Sequence, residues 1–227
     1  MPEDFAAGLR ELEARMQAAL AKVDWDRLRA GLEQVPVHAE ALGAAGWTMP
    51  NWSTPGEVAD ILREARTSDI DDVFLRHYEA DDGALIEELR TSLQSHGSLA
   101  RWQPLIAECV SAFDAGQYRL VVPVMLTVVD GAVVSFGDKP RLTNPVKSIP
   151  DILKSQKDGS MLKAAWISVA GFVHGIFKSH SFEADAPDRL NRHWILHGRD
   201  EPNWSKIDAL RVMQGVDTIG TVAVAAV

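Results

Sequence analysis

Cysteine, aromatic rings and positive charge are all in short supply in this chain of 227 residues. Its one cysteine, Cys109, cannot close an internal disulfide, so a reducing compartment suits it. Aromatic residues make up 7%, with only two tyrosines among them. The longest apolar run, Leu120 to Val134, is about 15 residues and is interrupted by Asp130, short of the ~20 that a membrane-spanning helix needs. The first residues include Glu3, Asp4 and Arg10 rather than a long apolar core, so we expect no signal peptide, no membrane partner and a cytoplasmic location. Lys and Arg number 23 against 32 Asp and Glu, a net charge of −9, which excludes an unselective binder of polyanions. What remains is ordinary for a globular chain: 46% apolar, 24% charged, 16 Gly and 11 Pro. The length suffices for one large domain or two small ones with a real core.

The acidity is uneven. Residues 1–114 hold 10 basic and 21 acidic side chains, whereas 115–227 hold 13 and 11, a net of +2. A polyanion would be repelled by the first half and tolerated by the second. Within the second half, Lys139, Arg141, Lys147, Lys154, Lys157 and Lys163 outnumber Asp138, Asp151 and Asp158. That stretch is either a solvated loop or a weak phosphate-contacting surface.

Periodicity predicts helices throughout. Phe5, Leu9, Leu12, Met16 and Leu20 make an amphipathic stripe in a helix over 3–34. Residues 43–55 read as an ordered loop in which Trp47 and Trp52 flank Pro50; they pack as a lid or stack a base. Thr54, Pro55 and Glu57 form a capping box that opens a helix reaching about Arg66. One or two helices follow from Ser68 to Ser95, broken near Asp81-Asp82-Gly83, and another spans Leu99 to Phe113. Residues 120–136 are rich in β-branched side chains, which favour a strand. Their length and lack of alternation favour a buried helix with Pro123 in its first turn, the reading we adopt. A constrained connection over 137–151 leads to a short helix at 151–157, then a core helix from Met161 to Phe177. His174 within it is expected to be hydrogen-bonded in the core or at an interface. A helix from Ala186 to His197 ends at Gly198, and a last one begins near 203. No strand is predicted, so the fold class is all-α. We divide the chain into an acidic helical region at 1–98, packing on the core, and a helical bundle at 99–227.

Functional side chains are densest from Asp188 to Asp200. On an ideal helix Arg189, His193 and His197 form one stripe, with Arg192 roughly 60° to its side and about 140° from His197. Three readings fit. The cations could simply complement a helix C-terminus. His193 and His197 could bind a metal, although Trp194 stands where a zinc-peptidase helix has Glu and no third ligand is evident. Alternatively, an imidazole titrating near neutral pH could move a proton while an arginine binds a phosphoryl group.

Arg192-His193-x-x-x-His197 resembles the Arg, polar residue, spacer, His motif of the HEPN superfamily. The likeness extends across Ala186 to Arg199, through Trp204 and on to Ile219, and is similar to abortive-infection-like bacterial HEPN proteins. Upstream, Phe113-x-x-Gly116-x-Tyr118-x-x-x-Val122-Pro123 through Val129-Asp130-Gly131 resembles the preceding helix of that family, with Asp130 where Glu is commoner. Gly46-Trp47-Thr48-Met49-Pro50 is similar to a segment near the N-terminus of such chains. The resemblance implies a helical bundle whose motif helices meet across a homodimer. It also implies RNA cleavage without metal or cofactor, in a toxin or phage-defence setting with an antitoxin or defence partner. Other members only bind nucleotides or act as interaction modules. Carried over, Arg192 holds the scissile phosphate, His197 is general base or acid, and His193 orients. Asp130, Arg189 and Asn191 support the site, while Arg199, Lys147 and Lys154 contact substrate.

Overall fold

The structure, a computed structural model, describes residues 25–134, 149–156, 160–183 and 185–224. Ten α-helices occupy them: α1 (Trp25–Ala44), α2 (Pro55–Glu64), α3 (Ile70–Glu79), α4 (Ala84–Ser95), α5 (Gln103–Asp114), α6 (Tyr118–Val134), α7 (Ile149–Ser155), α8 (Met161–Ile176), α9 (Arg192–Leu196) and α10 (Lys206–Val224). Single-turn 3₁₀ segments lie at Asp81–Gly83 and Gly97–Trp102. Among the described residues there is no strand, and the fold is an all-α helical bundle. None of these helices is long and apolar enough to cross a membrane. Contacts gather into two compact units, residues 1–34 and 35–227. The first contributes the start of α1. The second holds every other element, on both sides of residue 98.

The second unit is built round α10. From Ala209 to Gly220 every residue of this helix is buried, the apolar ones including Leu210, Met213, Val216 and Ile219. It packs against α6, α4, α8 and the Gly97–Trp102 turn. Gly215 is required here because a Cβ would lie 2.4 Å from the Phe172 ring of α8. The polar residues of α10 are also buried and find partners. Gln214 accepts from Tyr78 Oη (2.6 Å) and donates to the Thr48 carbonyl. The Thr218 and Thr48 hydroxyls are 2.8 Å apart, and Asp217 takes hydrogen bonds from Asn51 (2.6 Å) and at the His96 ring (2.7 Å). These bonds dock residues 47–51 on the core, which explains why a segment rich in small residues is ordered. Trp47 is fully buried, stacked on Phe74 at 4.0 Å, so it serves as packing rather than as a base platform.

Several expectations match. Thr54 and Glu57 close the capping box in both directions. Residues 118–134 are helical, and α8 covers the predicted core helix. Three boundaries need correction. Helix α1 continues to Ala44, into the segment read as loop, because Gly43 meets Gly171 of α8 so closely that a Cβ on either would touch backbone within 3 Å. Helix α6 starts at Tyr118, which moves Pro123 beyond the first turn. The predicted helix from Ala186 to His197 shrinks to Arg192–Leu196. Of the helix expected over 3–34, residues 3–24 lie outside the described residues, as do 137–148 of the connection expected over 137–151.

Candidate functional site

Asn191 sets the position of α9. Its side-chain oxygen accepts from the Trp194 amide (3.1 Å), an N-cap bond, while its amide nitrogen donates to the Lys178 carbonyl (2.8 Å) just beyond α8. Both ends of a side chain only 3% exposed are thus engaged. Trp194 and Ile195 are buried, and α9 rests on α6. At the other end Gly198 takes φ +64°, and the Arg199 amide returns to the Trp194 carbonyl at 2.8 Å. The helix is short because Asn191 caps at that position, while the preceding residues follow a non-helical path.

This geometry sorts the predicted site residues into three groups. Arg192 reaches α6, where its Nη2 donates to Asp130 Oδ2 at 2.8 Å, and its guanidinium lies over the Phe177 ring at 5.3 Å. Among the described residues Nη1 makes no hydrogen bond and the buried Nε has no partner, so most of the five donors of this fork remain unspent there. His193, His197 and Arg199 gather instead round Phe182. The His193 ring stacks on it at 4.5 Å and 9°, His197 meets His193 edge-on at 4.7 Å, and Arg199 lies over the phenyl face at 5.1 Å. Both His197 and Arg199 are exposed. No hydrogen bond, ion pair or ring contact joins Arg192 to either imidazole.

Arg189 forms the third group and corrects the predicted stripe. With 186–190 outside any helix, it turns away from the imidazoles, and its Nη1 donates to the Ala44 carbonyl at the end of α1. Lys154 is exposed in the last turn of α7, and Lys147 lies outside the described residues. His174, expected in the core or at an interface, is exposed. Among the described residues no three His, Cys, Asp or Glu side chains gather where they could hold one ion.

Of the two rings that carry the cations, sequence reasoning read Phe177 only as the end of the core helix and missed Phe182, because a lone aromatic in a loop has no periodic signal. It also missed a buried cluster at the other end of the loop 47–51. There Arg211, 6% exposed, pairs with Asp71 and with Asp208 (3.4 Å) and lies over Trp47 at 5.1 Å, while Trp47 Nε1 donates to Asp71 at 2.9 Å. Burial pushes the Asp71 carboxyl up, but hydrogen bonds from Arg211 and Trp47 and the charges of Arg211 and Arg189 outweigh it and hold it below the usual carboxylate range.

Neither the protein-family models, nor the curated proteins, nor the solved structures compared with this chain match it.

Proposed function

We propose that the chain is a metal-independent endoribonuclease of the toxin or phage-defence type, acting as a homodimer. One observation carries the reading: a guanidinium with unspent donors sits on the same five-residue helix as an imidazole that touches a second one 4.7 Å away. That set of groups suits phosphodiester cleavage by the ribose 2′-hydroxyl. His197 takes the 2′-OH proton, the oxygen attacks the adjacent phosphorus, and the bond to the 5′ oxygen breaks as that oxygen receives the proton back from the His197 imidazolium. The products are a 2′,3′-cyclic phosphate and a 5′-hydroxyl. Arg192 binds the charge that builds on the non-bridging oxygens. His193, its ring fixed against Phe182, orients His197, and Arg199 adds a cation at the edge of the site. Asp130 aims the Arg192 fork.

The homodimer follows from the split between the two groups. Arg192 and His197 do not meet within one chain, whereas two α9 helices side by side bring the arginine of one protomer to the imidazoles of its partner. Phe182 and Leu196, 38% and 40% exposed, supply apolar surface beside those groups for such a pairing.

A second reading, a non-catalytic nucleotide-binding or protein-interaction module, is favoured by the Asp130 contact. A carboxylate already on Arg192 competes with a phosphate, and the net charge of −9 weakens any general attraction to RNA. Incubation with total RNA in EDTA separates the two. The wild-type chain should cleave, and Arg192→Ala and His197→Ala should each lower the rate by about 10²–10³-fold. Equal cleavage by all three would remove these residues from the mechanism. Absence of cleavage by the wild type would leave the module.

A further inference from the structure

A cavity of about 840 Å³ lies between the end of α1, the outer face of α8 and the segment 187–191. Its size falls within the ~300–1,000 Å³ of small-molecule sites. Much of its wall is apolar, with Ile167, Ala170 and Leu190 set round the Gly43–Gly171 contact. A second cavity of about 480 Å³ adjoins it, and Arg189 and Arg211 line both.

The polar groups on the wall are unequal in what they lack. Asn191 is buried and has spent both ends of its amide on Lys178 and Trp194. Arg211 is more than nine-tenths buried; its Nη atoms face Asp71 and Asp208, but its Nε has no hydrogen-bond partner. That Nε lies on the side of Gly46, 4.0 Å from where a Cβ on this lining residue would stand. On the same lining Arg189, exposed, makes among the described residues no ion pair and donates only to the Ala44 carbonyl. The carboxylates on this lining, Glu40 and Asp188, are exposed and solvated. The Nε itself is sealed from the cavity, but three cations on this lining, Arg189, Arg211 and Lys178, outnumber its two carboxylates, so the complementary ligand group is an anion.

We infer that this cavity is a binding site for a small amphipathic acid, an apolar body on α8 carrying one carboxylate or similar oxyanion held by Arg189. The site is separate from Arg192 and the imidazoles, and the inference does not depend on RNA cleavage.

The probe is 8-anilinonaphthalene-1-sulfonate, an apolar body with one oxyanion, titrated by fluorescence into the full chain. Decanoate and decanol serve as competitors that differ in the acid group. Two variants address the two halves of the site. Arg189→Gln removes the exposed cation. Gly175→Leu places a side chain in the cavity from a position on α8 where a Cβ meets nothing within 4 Å, so it is compatible with the fold, which circular dichroism checks. Arg119→Gln, an exposed arginine at the start of α6 that does not line the cavity, is the control. Each of the first two should raise the dissociation constant at least fivefold while the control leaves it unchanged, and decanoate should displace the probe where decanol does not. Unchanged affinity in both variants overturns the site. An effect of Gly175→Leu alone, or displacement by decanol equal to that by decanoate, overturns the anionic class.

Discussion

Removing the Asp71 carboxylate tests the packing that anchors residues 47–51 to α10. Asp71 Oδ1 receives two donors from nearly dry side chains, Trp47 Nε1 and the Arg211 guanidinium. In Asp71→Ala both lose that acceptor. Each buried donor left unsatisfied costs about 1–3 kcal/mol, but the Asp71 side chain is 34% exposed, so water fills part of its place and the lower end of that range applies. Arg211 also keeps Asp208 and the Trp47 face. The expected loss is about 2–4 kcal/mol, a large share of the ~5–15 kcal/mol available to a domain. Asp71→Asn keeps an oxygen for Trp47 and loses only the charge, so it should cost about half as much. Urea unfolding at pH 7, followed by tryptophan fluorescence and circular dichroism, measures both. The pH dependence supplies a second check. Because the folded Asp71 carboxyl is held below its ordinary value near 3.8, its stabilisation is present in full above that value and disappears as pH falls through the lower folded value. The gap between wild type and Asp71→Asn should therefore close below about pH 4. An Asp71→Ala protein within about 0.5 kcal/mol of wild type at pH 7, well below the loss worked out above, refutes the argument that this pair anchors the loop.

Three further outcomes follow from the packing. Gly171→Ala should lower the melting temperature, because a Cβ there sits 2.8 Å from the Gly43 backbone and overpacking of ~1–3 kcal/mol exceeds the gain in helix propensity; Gly175→Ala, with open space, should raise it by about 0.5–1 kcal/mol of stability. Asn191→Ala removes the cap of α9 and leaves the Lys178 carbonyl without its donor, so the Trp194 amide should exchange with solvent at least tenfold faster, equivalent to about 1.4 kcal/mol. Burial, with a smaller contribution from Glu108, pushes the Cys109 thiol up to about 11. At pH 8 a disulfide reagent should then label the native chain about 100-fold more slowly than the urea-unfolded one.

Helix identity was legible in the sequence wherever burial is one-sided, as in α2 and α4, and wherever a cap is local, as at Thr54. It was also legible in α6, where length decided between strand and helix. The 186–197 segment misled because its periodicity is genuine while its backbone obeys a distant partner. Asn191 has the Lys178 carbonyl to satisfy, and by capping at 191 it leaves Arg189 off the helix. Within the site, the four-residue spacing of His193 and His197 agrees with their contact, whereas the bond of Arg192 to Asp130, 62 residues away, had no local signal. The rings under the cations and the pairing of Arg211 with Asp71 join residues far apart in sequence, so no local pattern carries them.

The shortness of α9 bears directly on the proposed chemistry. A longer helix would hold Arg192 and His197 about 140° apart round one axis, so that no single phosphate could meet both. With the helix reduced to 192–196, Arg192 leaves at its first turn toward α6 and His197 sits at its C-cap beside Phe182. Arg192 and His197 therefore lie at opposite ends of one turn, each oriented by a different neighbour. A single protomer then offers two incomplete halves, an arginine with a carboxylate and a pair of imidazoles with Arg199. On the nuclease reading activity depends on protein concentration, because only association joins the halves. On the same reading an isolated chain is inactive, and Asp130 holds the Arg192 fork until a phosphate displaces it.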